Sequence, residues 1–103
     1  MEQSVIVLKA KTDKASLKTF AYQVAQITTQ ATKNNIQIVD CIMTFGGVKD
    51  VLREVKKLDG QKRFSSILIY SPSQICKNAL EYQDLVETLE KEFKVGVRCI
   101  RSM

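Results

Sequence analysis

The chain contains no histidine at all. That absence removes every Ser-His and Cys-His hydrolase, because a serine or thiol of ordinary pKa needs a neighbouring base. It also removes the commonest zinc ligand. The three cysteines, Cys41, Cys76 and Cys99, lie far apart and form no CxxC pair. The expectation is therefore no metal and no cofactor. Three unpaired thiols fit a reducing cytoplasmic setting. Long apolar runs are missing too. The run Val5 to Leu8 is too short for a bilayer or a secretory signal, so no membrane association is expected. Neither GxxxxGK[ST] nor GxGxxG occurs, which leaves a P-loop and a dinucleotide site without support. There is no internal repeat, linker or low-complexity stretch.

What is present describes an ordinary globular domain: 103 residues, 45% hydrophobic and 26% charged. Area scaling buries roughly 65% of the surface for a chain of this length, enough for one core without staples. The net charge of +5 permits nucleic-acid contact without requiring it.

Four segments read as strands: Val5 to Leu8, Ile36 to Ile42, Ile67 to Tyr70 and Val95 to Ile100. The first and third are continuously apolar, as central parallel strands covered on both faces are. The second and fourth carry Gln37, Asp40 and Arg98 and fit edge positions. Three helical stripes separate them. Leu17, Phe20, Val24 and Ile27, joined by Ala21 and Ala31, form the first, with Asp13 or Ser16 as its cap and Asn34-Asn35 as its end. Val48, Val51, Leu52, Val55 and Leu58 form the second, ending at Gly60. Tyr82, Leu85, Val86, Leu89 and Phe93 form the third, opened by Asn78 with Glu81 three residues on. Strand and helix alternate throughout. The expected fold is α/β: a single domain over 1–103 with three layers, a mainly parallel four-stranded sheet and helices on both faces, without a separate DNA-binding domain.

In such folds ligands collect at the carboxyl ends of the strands. The loop Lys9 to Lys14 brings three lysines around Thr12 and Asp13 at a helix start, where an anion is favoured. A solvated lysine cluster accounts for it equally well. Gly46-Gly47 reads as a turn into the second helix. The third loop, within "LIYSPSQICKN", holds Ser71, Pro72, Ser73 and Cys76, with Pro72 suited to a turn or a first helical position. None of its hydroxyls or thiols has a base. Lys77 is adjacent in sequence to Cys76 and could lower its pKa, although a partly buried Cys76 acting as a small hydrophobe is the plainer reading. The carboxylates Glu81, Asp84, Glu87, Glu90 and Glu92 read as a solvated helix face.

From the first strand to the fourth, the chain resembles the catalytic domain of serine recombinases, the resolvase and invertase family. Where that family has a motif like Y-A-R-V-S-T-D, this chain reads Val7-Leu8-Lys9-Ala10-Lys11-Thr12-Asp13. Thr12 and Asp13 match. Lys9 stands for an arginine, and Lys11 stands for the nucleophilic serine. Where the family has a motif like Y-S-L-D-R-L-S-R-N, the chain reads Tyr70-Ser71-Pro72-Ser73-Gln74-Ile75-Cys76-Lys77-Asn78. Tyr70, Ser71 and Asn78 match. Ser73 replaces an aspartate, and Gln74 and Lys77 replace arginines. "VKDVLREVKKLDGQKRFSSILIY" and "ALEYQDLVETLEKEFKVGVRCI" follow the family pattern as well.

The resemblance implies a resolvase-like domain whose active-site positions are degenerate at Lys9, Lys11, Thr12, Asp13, Ser73, Gln74 and Lys77. Each lost charge at a phosphoryl transition state costs a factor of about 10² or more, and lysine does not reproduce the arginine fork. The implied role is a non-catalytic regulatory or protein-interaction module of a phage or mobile element, with a protein partner or a homo-oligomer. One alternative is a DNA-binding accessory protein, binding weakly and salt-sensitively through Lys9, Lys11, Lys14 and Lys77 on the strand-end edge and through Arg53, Lys56, Lys57, Lys62 and Arg63 on the second helix and its turn. Another is an enzyme that reuses Lys11 or Cys76 for other chemistry, for which no partner acid or base is visible.

Overall fold

The computed structural model describes residues 2–9, 14–44, 47–61 and 63–100, with the backbone alone at 14–17, 19 and 20. Strand β1 is Glu2–Lys9, helix α1 Lys14–Lys33, strand β2 Ile36–Thr44, helix α2 Val48–Asp59, strand β3 Ser66–Ile69, helix α3 Pro72–Ile75, helix α4 Ala79–Thr88 and strand β4 Gly96–Cys99. The sheet is parallel throughout, in the order β2-β1-β3-β4. The two continuously apolar strands are central and the two mixed ones are edges, as the composition requires.

Side-chain alternation sends each strand into two cores. Val5, Val7, Ile67 and Ile69 pack with Val51 and Val55 of α2 and Leu85 of α4. Ile6, Leu8 and Leu68 pack on the other face with Ile27 and Ala31 of α1. Helix α1 thus covers one face, and α2 and α4 the other. Ala21, placed on the α1 stripe by spacing, is exposed. It precedes the Val24–Ile27–Ala31 row at an angle that takes it off the contact.

Strand β2 runs two residues longer than expected and carries a bulge. Its register against β1 shifts between Ser4 and Val5, where Ile38 and Asp40 are the successive partners and Val39 is extra. The shift resolves a parity conflict in the sequence. Ile36 and Ile38 pack on the α1 side, whereas Val39 and Ile42 pack on the α2 side. No regular strand could do both. The Asp40 carboxylate accepts the Cys41 amide at 2.7 Å.

The helix ends have local causes. Asn35 takes a left-handed conformation, φ 59°, and stops α1. Helix α1 begins at Lys14, so Ser16 lies inside it and is not its cap; Asp13 is outside the described residues. The Asn78 side chain caps α4 by accepting the Glu81 amide at 2.9 Å. Helix α4 passes into a π turn over Leu89–Phe93, closed by Lys94 at φ 56°. This widened turn keeps Leu89 buried while returning the chain to β4.

At the amino end of the sheet, three strands are tied by one carboxylate. Glu2 accepts from Arg98 through Nε at 2.6 Å and Nη2 at 2.7 Å, and from Ser66 Oγ at 2.6 Å. Ser66 also meets Ser4, its register neighbour on β1, so both buried hydroxyls are satisfied. The Arg98 guanidinium and then the Ser66 hydroxyl hold the Glu2 carboxyl down at about 2. No helix among the described residues is long and apolar enough to cross a membrane.

Candidate functional site

The strand order fixes where a ligand cleft can open. From β1 the chain moves outward to β2 by way of α1. From β2 it crosses back to β3 by way of α2 on the opposite face. The two connections diverge between the carboxyl ends of β1 and β3, and that divergence is the crevice of an open parallel sheet. Lys9, the last residue of β1, and the segment Ser71–Lys77 after β3 therefore flank one cleft. Lys11, Thr12 and Asp13 lie outside the described residues. Lys14 begins α1, and its side chain is not among those described.

The β3 side of the cleft is built on the core. Ile75 and Cys76 are buried, as is Pro72. Pro72 occupies the first turn of α3, where its fixed φ is pre-formed for a helix. The turn closes through Gln74 N to Ser71 O at 3.2 Å and Cys76 N to Pro72 O at 2.9 Å. Across it, Ile75 O would stand 3.5 Å from a side chain placed on Gly47, at the head of α2. Ser71 and Ser73 hydroxyls lie 3.0 Å apart. No histidine can activate either hydroxyl, since the chain has none.

Gln74 is the most informative position. Its side chain turns toward α1, where Nε2 donates to Gln23 Oε1 at 2.5 Å. Its own Oε1 is buried and has no hydrogen-bond partner among the described residues. Two neutral amides thus occupy the seam between α3 and α1. An amide pair carries no net charge, so it contributes none of the fixed positive field that phosphoryl transfer draws on. Gln23 was not among the residues singled out from the sequence. It lies 51 positions from Gln74, and nothing in the α1 pattern marks it.

The other candidates are committed differently. Lys77 is exposed, and its amide lies 3.5 Å from Glu81 Oε1. With Asn78 this makes a capping arrangement around the start of α4. Lys77 does not activate Cys76. Burial, then the Glu81 carboxylate and Cys99, push that thiol up, so Cys76 stays protonated and poorly nucleophilic. In the same core, Tyr82 OH lies 3.2 Å from Cys99 Sγ, and burial followed by Cys99 pushes the phenol to about 12.

The described basic residues lie at both edges of the sheet. Lys9 and Lys77 are at the carboxyl edge of the sheet. Helix α2 starts at that edge and runs back for about 18 Å at 1.5 Å per residue. Arg63 follows its end and therefore lies at the opposite edge. Along α2, Arg53 pairs with Asp50 at 2.8 Å and Lys57 with Glu54 at 3.4 Å. Lys56 is exposed. Lys62 lies outside the described residues. Asp84, Glu87, Glu90 and Glu92 are exposed and Glu81 is half-buried, as a solvated face requires. Among the described residues, no group of three or more histidine, cysteine or acidic residues could hold a metal ion.

No protein-family model and no curated protein matches the chain by sequence. Solved structures match it in backbone fold. One is a resolvase family site-specific recombinase from Streptococcus pneumoniae, with a TM-score of 0.78 at 15% identity, covering 97% of this chain and 72% of that one. The chain has the serine recombinase catalytic fold. A second match is the N-terminal catalytic domain of TP901-1 integrase, with a TM-score of 0.73, 16% identity and coverage of 96% and 77%. A third is the C-terminal catalytic domain of ISC1926 TnpA, an IS607-like serine recombinase, with a TM-score of 0.75, 15% identity and coverage of 98% and 72%. At these identities the likeness is one of backbone.

Proposed function

We propose that residues 1–103 act as one resolvase-like domain that has given up strand cleavage and serves as a regulatory or protein-interaction module in the cytoplasm of a cell carrying a phage or mobile element. The observation that carries this reading is the Gln23–Gln74 amide pair, in which Gln74 stands for an arginine of the motif the sequence resembles. Lys11 in place of the nucleophilic serine and Ser73 in place of an aspartate support it from the sequence. Strand cleavage needs both a nucleophile and positioned charge at the phosphate, so a scaffold lacking both is left without that reaction.

The partner this reading favours is a full-length recombinase of the same fold, engaged as a mixed oligomer. Adding the purified chain in large molar excess to such an enzyme, assayed on its own site, should depress recombination. Unchanged recombination at saturating excess removes the mixed-oligomer reading.

A second reading has one observation in its favour. The cleft edge carries Lys9 and Lys77, and α1 beside it contains no acidic residue. A DNA-binding accessory role follows if this edge meets phosphates. Anisotropy titration of a short duplex at two salt concentrations tests it. Phosphate contacts release counterions, so affinity that ignores salt argues against this role.

A further inference from the structure

A groove of about 510 Å³ opens at the amino end of the sheet, opposite the recombinase-like cleft. Its volume lies in the range of small-ligand sites, roughly 300–1,000 Å³. The walls come from the α2–β3 connection, from the start of β1 and from the end of the π turn. They are held in place by backbone bonds. Ser65 N donates to Gln3 O at 2.9 Å, and Gly96 N donates to Ser65 O at 2.9 Å.

Two half-buried rings, Phe64 and Phe93, line this groove and also pack against the core. Beside them stand the exposed cations Arg63 and Lys94 and the carboxylate of Asp59. None of these three charged side chains has a hydrogen-bond or ion-pair partner among the described residues. Lys94 is moreover held at φ 56°, a conformation that a lysine rarely adopts, directly after the π turn. Both features recur at functional sites. Here they fix the Lys94 backbone at the rim of the groove.

We propose that this groove binds a nucleoside monophosphate unit, with its base against Phe64 and Phe93 and its phosphate between Arg63 and Lys94. Phenyl faces accept any base by stacking. A guanidinium fork matches phosphate oxygens, and an ammonium adds a second point of charge. Asp59 leaves the rim with a net charge near +1, opposite in sign to a phosphate. Such a unit comes either as a free nucleotide or as the phosphorylated end of a single strand. The site is independent of whether the opposite cleft is catalytic.

The test is a heteronuclear NMR titration of the whole chain with deoxyadenosine monophosphate, with deoxyadenosine and inorganic phosphate as the separate halves. Saturable shifts are expected at the amides of Phe64, Ser65, Phe93 and Lys94, with each half at least about tenfold weaker, a free-energy difference of about 1.4 kcal/mol. Arg63→Gln and Lys94→Gly should each weaken binding about tenfold while leaving the spectrum otherwise native, glycine being at ease in the left-handed region. A terminally phosphorylated single strand that binds more tightly than the mononucleotide assigns the site to strand ends. Equal or weaker binding assigns it to free nucleotides. No saturation by roughly 10 mM, where specific affinity has vanished, overturns the proposal. So do shifts confined to the Lys9 and Lys77 edge, or affinity unchanged in both variants.

Discussion

Replacing Glu2 by glutamine should cost stability at neutral pH and nothing in strong acid. Glu2 joins β1 to β3 and β4 through Arg98 and Ser66, and these partners hold its carboxyl near 2 against an ordinary value of 4.5. A depression of that size corresponds to at most about 3 kcal/mol. Solvent reduces it, because the Arg98 side chain is 56% exposed. About 1 kcal/mol is the expected loss for Glu2→Gln. In a domain of this size that lowers Tm by roughly 4–8 °C. The sign in pH follows from the folded carboxyl being the stronger acid. The contribution is complete above the unfolded value of 4.5 and is lost as pH falls through the folded value near 2. Paired thermal melts of wild type and Glu2→Gln at pH 7, 4 and 2 isolate it, since all other carboxylates titrate in both proteins. The melting gap should be largest at pH 7 and close by pH 2. A gap that persists unchanged at pH 2, or none at pH 7, refutes the reasoning.

Two further outcomes follow from the packing. Leu85→Ala removes a fully buried side chain between the sheet and α4 and should cost about 2–5 kcal/mol, a large share of a small domain's stability, read as a lower urea midpoint. Thiol labelling at pH 8 should modify exposed Cys41 first and buried Cys76 only on unfolding; fast native labelling of Cys76 would mean its pocket opens or its thiol is activated.

Much of this fold is written in short-range pattern. The continuous runs around Val7 and Leu68 require central strands, and Asn78 with Glu81 marks a helix start because one side chain reaches one amide. Other features depend on residues far apart. The bulge at Val39 is visible only as a parity conflict between Ile38 and Ile42, which spacing alone does not place. The π turn at Leu89–Phe93 arises because the chain must keep Leu89 in the core and still reach β4. Its stripe of apolar residues reads as an ordinary helix. The same holds at the cleft. The family resemblance singles out Ser73, Gln74 and Lys77 as candidates, yet the partner that Gln74 meets is on α1, and the Glu2–Arg98 tie spans almost the whole chain. The basic residues are separable by element: Lys77 is expected at the strand-end edge and Arg63 on the turn after the second helix, and α2 runs between the two edges.

The central claim is a recombinase fold without recombinase chemistry. Its most direct test is to incubate the purified chain with nicked and intact duplex DNA, quench in denaturant and resolve the products by mass. The account predicts free protein and unbroken strands. A covalent protein–DNA adduct, on any residue, would contradict it.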